Sequence, residues 1–454
     1  MRKTILYLSF MAVFSGMMGC ASYRTTAVVP SESGLRKDLP DMMADSSPEK
    51  KKSASETILT TDTVLTLSAA VSRALLGNPR LAAYSYEIRA REALAVQASL
   101  LPNPELNIEL ENFAGSGDLS GFNGTETTVS LGQLIELAGK RAKRTRVAAF
   151  EADLAGWDYQ AARLNVLMEV LMGFTEVHTA QQRVALNREL VNIAEQFLQS
   201  IRKRVEAGKV SPAEASRARV VLSATRIDLE RSKRELQSAR KRLAASWGSS
   251  EIDFDRVKGK LDTTVHLPSL EKLQKLAEQN PDIARWATEM QYRQASLELE
   301  KAGRIPDPTI SGGYRRLNET GDNTLVMGMS VPLPLFNRNQ GRVQEAKYRQ
   351  RQAELRWKAV EVEVNRRLTE VYNFLSAAYT EVNTIKSSVL PEARKAFEVI
   401  NQGYLMGKFG FLDVLDAQRT LFETRSRYLN ALRDYHQSVA ELERLTGQNI
   451  SNLQ

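Results

Sequence analysis

The apolar positions of this chain follow two rhythms in separate stretches. Over long intervals they step by three and four: Leu164, Leu167, Leu171 and Phe174, then Leu186, Leu190, Ile193, Phe197 and Ile201, and much later Tyr428, Leu432, Tyr435, Val439 and Leu442. This spacing draws one stripe along a helix and suits lateral, coiled-coil-like packing. No proline falls between Pro104 and Pro212, so one unbroken helix is predicted from about Gly139 to Ala207, roughly 100 Å at 1.5 Å per residue. A second long helix, about Arg338 to Met406, contains Pro391, whose missing N–H predicts a kink. Shorter helices are predicted at about Leu67–Leu101, Pro212–Trp247, Ser269–Arg304 and Phe411–Thr446. Each pair of short helices sums to the long helix between them. Two short helices stacked end to end alongside one long one, all antiparallel, satisfy these lengths.

Elsewhere the rhythm is two. In "ELNIELEN", Leu106, Ile108 and Leu110 alternate with Asn107, Glu109 and Glu111, and in "TLVMGMSV", Leu325, Met327, Met329 and Val331 alternate with Thr324, Gly328 and Ser330. Strands are therefore predicted within about 104–136 and 307–336, each about ten residues, the length that crosses a bilayer when tilted. A soluble antiparallel sheet with one wet face has the same alternation, so the pattern alone leaves both readings open.

The chain is written twice. "GNPRLAAYS" from Gly77 is answered by "QNPDIARWA" from Gln279, Pro102-Asn103-Pro104 by Pro306-Asp307-Pro308, and "VEAGKVSPAEASRAR" from Val205 by "YLMGKFGFLDVLDAQ" from Tyr404. The first repeat covers 64–265 and the second 266–454, each with the order helix, strand pair, long helix, Gly-Lys turn, helix. In the turns, Gly208 and Gly407 supply a position through which a helix does not continue. Ser211 is expected to cap the next helix with Glu214 as capping-box acid. Gly410 stands where Ser211 does, so the second cap is expected to be weaker.

Composition narrows the function. Charged residues make up 26% of the chain and the mean hydropathy is −0.34, which excludes a bundle of membrane-spanning helices. The formal charge of +8 comes from Lys and Arg interleaved with acids, the pattern of solvated helix faces rather than of a nucleic-acid site. His178, His266 and His436 are far apart in sequence and there is one Cys. No metal-ligand spacing, phosphate-binding glycine loop or nucleophile motif occurs. No catalytic, cofactor-binding or metal residues are assigned, and the chain reads as a non-enzyme.

The N-terminus, "MRKTILYLSFMAVFSGMMGCAS", has a basic start, an apolar run and small residues before Cys20. This is the order of a secretory signal, here 1–19. Met17-Met18-Gly19-Cys20 resembles a bacterial lipobox, which makes Cys20 the expected site of a covalent lipid (palmitate or a related acyl chain) that anchors without spanning. Residues 20–63 read as a flexible tether. Export and anchor favour the membrane reading of the strands. Four strands cannot close, and an open edge is not tolerated in lipid. The chain must then oligomerise, and three copies would give twelve strands.

With "LLPNPEL…EN", "LIELAGKR" (Leu134–Arg141), "VPLPLFNRNQG" (Val331–Gly341) and "GYLMGKFGFLDVLDAQRTL", the chain resembles the TolC-type outer-membrane efflux channels from about Leu65 to the end. "NPELNIELENF" with "IELAGKR" is most similar to their CzcC-like heavy-metal branch. The resemblance implies a mainly α fold with a membrane portion: a long α-helical barrel plus four β-strands per protomer. A homotrimer would close a twelve-stranded β-barrel in outer-membrane lipid. A small belt would be built by about Ser249–Leu267 and the C-terminus. It implies a periplasmic adaptor and an inner-membrane resistance–nodulation–division (RND) pump as partners, with heavy-metal cations as cargo. An organic-solute duct is the alternative, and a structural coiled-coil lipoprotein the more distant one. The tips Gly208, Lys209, Gly407 and Lys408 would meet the adaptor. Tyr404, Glu214, Asp413 and Asp416 match the family's closure and acidic-ring positions, while Phe409 replaces its closing basic residue.

Overall fold

The computed structural model describes residues 64–448 except 260, 263, 265 and 266. The signal segment, Cys20, the tether, His266 and the C-terminal end lie outside the described residues. In chain order the elements are β1 (Val64–Thr66), α1 (Leu67–Gly77), α2 (Pro79–Ser99), β2 (Glu105–Glu111), β3 (Glu126–Leu134), α3 (Lys140–Glu206), α4 (Pro212–Ala245), β4 (Arg256–Lys258), α5 (Leu270–Ala277), α6 (Pro281–Ala302), β5 (Thr309–Leu317), β6 (Asn323–Ser330), α7 (Gln340–Thr384), α8 (Leu390–Leu405) and α9 (Phe411–Thr446).

Helix α3 is unbroken over 67 residues, about 100 Å. The end-to-end arrangement is present, and an asparagine makes each joint. Asn78 Oδ1 accepts from the N–H groups of Arg80 and Leu81 at the start of α2, at 2.8 and 3.2 Å, while its Nδ2 donates to the Ser246 carbonyl just past α4, at 2.8 Å. Asn280 accepts from Asp282 N–H at 2.9 Å at the start of α6 and donates to the Arg444 and Leu445 carbonyls of α9, at 2.7 and 3.1 Å. One side chain thus caps one helix and satisfies the last carbonyls of the other. The same asparagines correct the sequence reading, which ran one helix from Leu67 to Leu101 and one from Ser269 to Arg304. Pro79 and Pro281 push the preceding residue out of helical geometry, and each helix begins anew there.

At Pro391 the helix is interrupted. The chain passes from α7 to α8 through a π turn, Ile385–Val389. It lies just before the proline, where its ring would otherwise meet the carbonyl four residues back.

Side by side, the order is α2/α4, then α3, then α6/α9, then α7/α8. Strand order in the four-stranded sheet is β2-β3-β5-β6, every neighbour antiparallel, so each strand continues one column of the helical layer. The buried line of α3 runs through Val166, Val170, Phe174 and Val177, then Val191, Ala194, Leu198 and Ile201. Of the predicted stripe, Phe174, Leu186 and Ile201 are buried, while Leu164, Leu167 and Leu171 flank this line half-buried, because α3 packs helices on two sides. Leu432, Tyr435 and Leu442 of α9 are buried as expected. Full burial of each large apolar side chain contributes roughly 1.5–3 kcal/mol. The belt is a parallel pair, β1 with β4. Leu65, Phe254 and Val257 seat it on Phe174 and Leu243.

Candidate functional site

The sheet separates its two faces row by row. Ile108, Val129, Tyr314 and Leu325 are register partners, as are Leu106, Leu131, Gly312 and Met327, and Ile310 lies opposite Met329. The large side chains of these rows share one face and are exposed, Met327 by 89%. The other face carries Asn107, Glu109, Thr128, Ser130, Ser311 and Thr324. There the Arg315 guanidinium pairs with Glu126 at 2.9 Å and Glu111 at 3.1 Å, and donates to Thr128 Oγ1 at 2.8 Å. An apolar face backed by a polar one suits a wall between lipid and water. Among the described residues, both outer strands, β2 and β6, keep a free edge.

At the opposite end of α3, the two Gly-Lys turns are built alike. Gly208 has φ +66° and Gly407 φ +77°, a region costly for other residues. Gly208 N–H donates to the Val205 carbonyl (2.9 Å) and Lys209 N–H to that of Arg204 (2.8 Å). Gly407 N–H donates to Tyr404 (3.0 Å) and Lys408 N–H to Gly403 (2.8 Å). This is the doubly bonded glycine stop of a helix. The Lys209 and Lys408 side chains are exposed.

The caps differ from expectation. Ser211 Oγ accepts from Ala213 N–H at 3.2 Å, but Glu214 turns inward and its Oε2 is buried without a hydrogen-bond partner. The capping-box acid forms in the other turn, where Asp413 Oδ2 accepts from Gly410 N–H at 2.8 Å. The shorter Asp side chain reaches its own cap residue. Asp416 is exposed and pairs with Arg419 at 3.0 Å. Tyr404 is buried, at 3% exposure. Its ring lies 5.9 Å from Phe197 and 6.5 Å from Phe411, with the Arg204 guanidinium 4.6 Å over it. This cluster ties the first hairpin to the second, and its hydroxyl has no partner. Phe197 was visible in its stripe; nothing in the sequence joined it to Tyr404. Phe409 lies against Gly403, where a Cβ would overlap its ring.

Two of the three histidines, far apart in sequence, come together beside the belt. His178 of α3 lies beside the backbone of Gly259. His436 Nε2 lies 2.7 Å from the Leu261 carbonyl oxygen. Burial holds both imidazoles below their ordinary pKa. Among the described residues no group of three His, Cys, Asp or Glu is placed to hold a metal.

A sheet with one lipid-compatible face, standing on a helical layer about 100 Å tall, is the build of an outer-membrane channel subunit. Residues 70–249 and 272–448 match the model of the family described as outer membrane efflux protein. The chain is 36% identical over 383 residues to the cobalt-zinc-cadmium resistance protein CzcC of Cupriavidus metallidurans, spanning 84% of this chain and 90% of that one. It is 23% identical over 401 residues to the cation efflux system protein CusC of Escherichia coli, 83% and 84% of the two chains. A crystal structure of CusC superposes with a TM-score of 0.71 over 84% of this chain and 91% of that one, at 18% identity. The open-state MtrE channel of Neisseria gonorrhoeae gives 0.71 over 85% and 89%, also at 18%. The chain belongs to the outer membrane efflux protein family. It is an outer-membrane transport component rather than an enzyme.

Proposed function

We propose that three copies close a continuous duct through which heavy-metal cations leave the cell. The observation that carries this reading is the four-stranded sheet with one apolar face and two free edges. In lipid, β6 of one copy must pair with β2 of the next, a head-to-tail contact that closes as a ring. Three copies give twelve strands. The helices support the same contact: exposed large apolar side chains gather on the outer columns, at Leu94 and Val96 of α2, Val220 and Ile227 of α4, and Val362 and Phe374 of α7, whereas α3 and α6 expose none. Each half supplies one strand pair and one hairpin, the internal two-fold repeat. Cys20 carries the lipid anchor.

The duct works in a tripartite assembly with a periplasmic adaptor and an inner-membrane RND pump. The adaptor meets the tips at Gly208, Lys209, Gly407 and Lys408. Asp413, Asp416, Glu214 and Tyr404 form the aperture, with Asp413 also serving as a cap and Tyr404 as an internal tie. The similarity to CzcC supports metal cargo, as do relatives named for nickel and cobalt resistance. A 24%-identical relative named for pyoverdine export supports organic solutes as the second reading. Deleting the gene should lower cobalt, zinc and cadmium resistance, and restoring it should recover all three. Unchanged metal tolerance with raised sensitivity to organic toxicants would replace the first cargo by the second.

A further inference from the structure

Where the sheet stands on the helices, the strand pair β2–β3 meets the pair β5–β6 along a seam inside one copy, and one acid closes it. Asp307, between α6 and β5, accepts the Leu137 N–H at 2.8 Å through Oδ1 and the Lys140 ammonium at 2.7 Å through Oδ2. Beside it the Ile135 N–H donates to the Pro308 carbonyl at 2.9 Å. Lys140 and Asp307 are both largely withdrawn from solvent. The residues that follow β3 are thereby fastened to those that precede β5.

Each half of this seam recurs at an outer edge of the copy, without the other half. Before β2, Pro102-Asn103-Pro104 answers Pro306-Asp307-Pro308, so Asn103 holds the place of Asp307. It is exposed and has no hydrogen-bond partner among the described residues. After β6, the connection to α7 answers the one from β3 to α3. Both connections end on a left-handed residue, Gly139 at φ +66° and Asn339 at φ +56°. Counted from these, Asn337 stands where Leu137 does and Gln340 where Lys140 does. Gln340 is turned into its own connection, accepting the Arg338 N–H at 2.8 Å and donating to the Phe336 carbonyl at 3.2 Å. Leu333, Leu335 and Phe336 stand exposed on this edge, Phe336 by 91%, and Leu100 and Leu101 stand exposed beside Asn103 on the other.

We propose that the two halves complete each other between copies: Asn103 of the partner subunit accepts the Asn337 N–H, and Leu100 and Leu101 of the partner subunit cover Phe336. This latch rests on the three-copy ring of the proposed duct, in which β6 of one copy runs beside β2 of the next. Strand β6 runs toward the helices and β2 away from them, as β3 and β5 do. Their pairing therefore sets 331–339 of one copy against 100–104 of the next, just as 135–140 lies against 305–308 within a copy. The chemistry of the two seams differs. The inner one holds an ion pair, whereas the one between copies holds a neutral amide among apolar side chains, which leaves no charge for salt to screen. The amide acts through its oxygen, and a carboxylate accepts the same N–H.

Cysteine pairing in the full-length protein, in detergent, tests this. A side-chain oxygen within hydrogen-bond reach of a neighbouring backbone N–H puts the two residues within the span of a disulfide. Asn103→Cys with Asn337→Cys should therefore join separate chains under mild oxidation, giving a ladder up to the covalent trimer that reductant dissolves; neither single variant, each retaining Cys20, should do so. Asn103→Ala should fall apart into single chains about tenfold faster than wild type on heating in detergent, while Asn103→Asp should hold like wild type. Native mass reads the ring separately. A trimeric mass without the disulfide, or an alanine variant that holds like wild type, overturns the latch, leaves Phe336 to lipid, and lets the ring stand. A monomeric mass for the wild type overturns the ring and the latch with it.

Discussion

Asn280 offers a direct test of how the stacked helices are joined. It is 1% exposed, and its side chain makes two hydrogen bonds to α9 and one to the start of α6. Asn280→Ala removes the cap of α6, worth about 1 kcal/mol, and strands the Arg444 and Leu445 carbonyls, which costs roughly 1–3 kcal/mol more. The Arg444–Asp282 ion pair at 2.6 Å still spans the joint, so the loss is local, about 2–4 kcal/mol. Exchange of the amides at the start of α6 should accelerate at least about thirtyfold, since tenfold corresponds to 1.4 kcal/mol. Asn280→Ser keeps the cap but is too short for the carbonyls, and should fall between wild type and Ala. Exchange within threefold of wild type in the Ala variant, or full recovery in Ser, would show that packing rather than this side chain makes the joint.

Gly407→Val places a β-branched residue at φ +77°, a cost of about 1–3 kcal/mol; adaptor crosslinking at the tip should be lost while trimer yield on gels is retained. Asp413→Ala with Asp416→Ala should lower cation selectivity, read as a shift of reversal potential in planar bilayers, and an unshifted potential would move the constriction elsewhere. Cys20→Ala should abolish metabolic palmitate labelling and leave the trimer intact; persistent labelling would refute the lipid anchor.

The long elements were legible because their periods extend over tens of residues. The 67 residues of α3 and the alternation of β2 and β6 needed no tertiary information. The glycine turns were legible too, since only a left-handed residue stops such a helix with both bonds made. What escaped depended on partners remote in sequence. Tyr404 reads as a surface residue until Phe197 and Arg204 enclose it. His178 and His436 carry no shared motif, and only the fold brings them together. The break at Asn78 was missed because apolar periodicity outweighed the Asn-Pro pair. Strands β1 and β4, three residues each, are too short to show any period.

The π turn sets the angular phase of everything beyond it. Each helical residue turns the chain by about 100°, and a π turn holds one residue more than the α-helix it interrupts. Excising a single residue from Ile385–Val389 would restore an ordinary helix and rotate α8 by that angle about its own axis. Tyr404 would swing out from between Phe197 and Phe411 toward water, and the turn at Gly407 would face a different neighbour. The tip of the second hairpin is thus aimed from five residues that lie more than four turns of helix away from it.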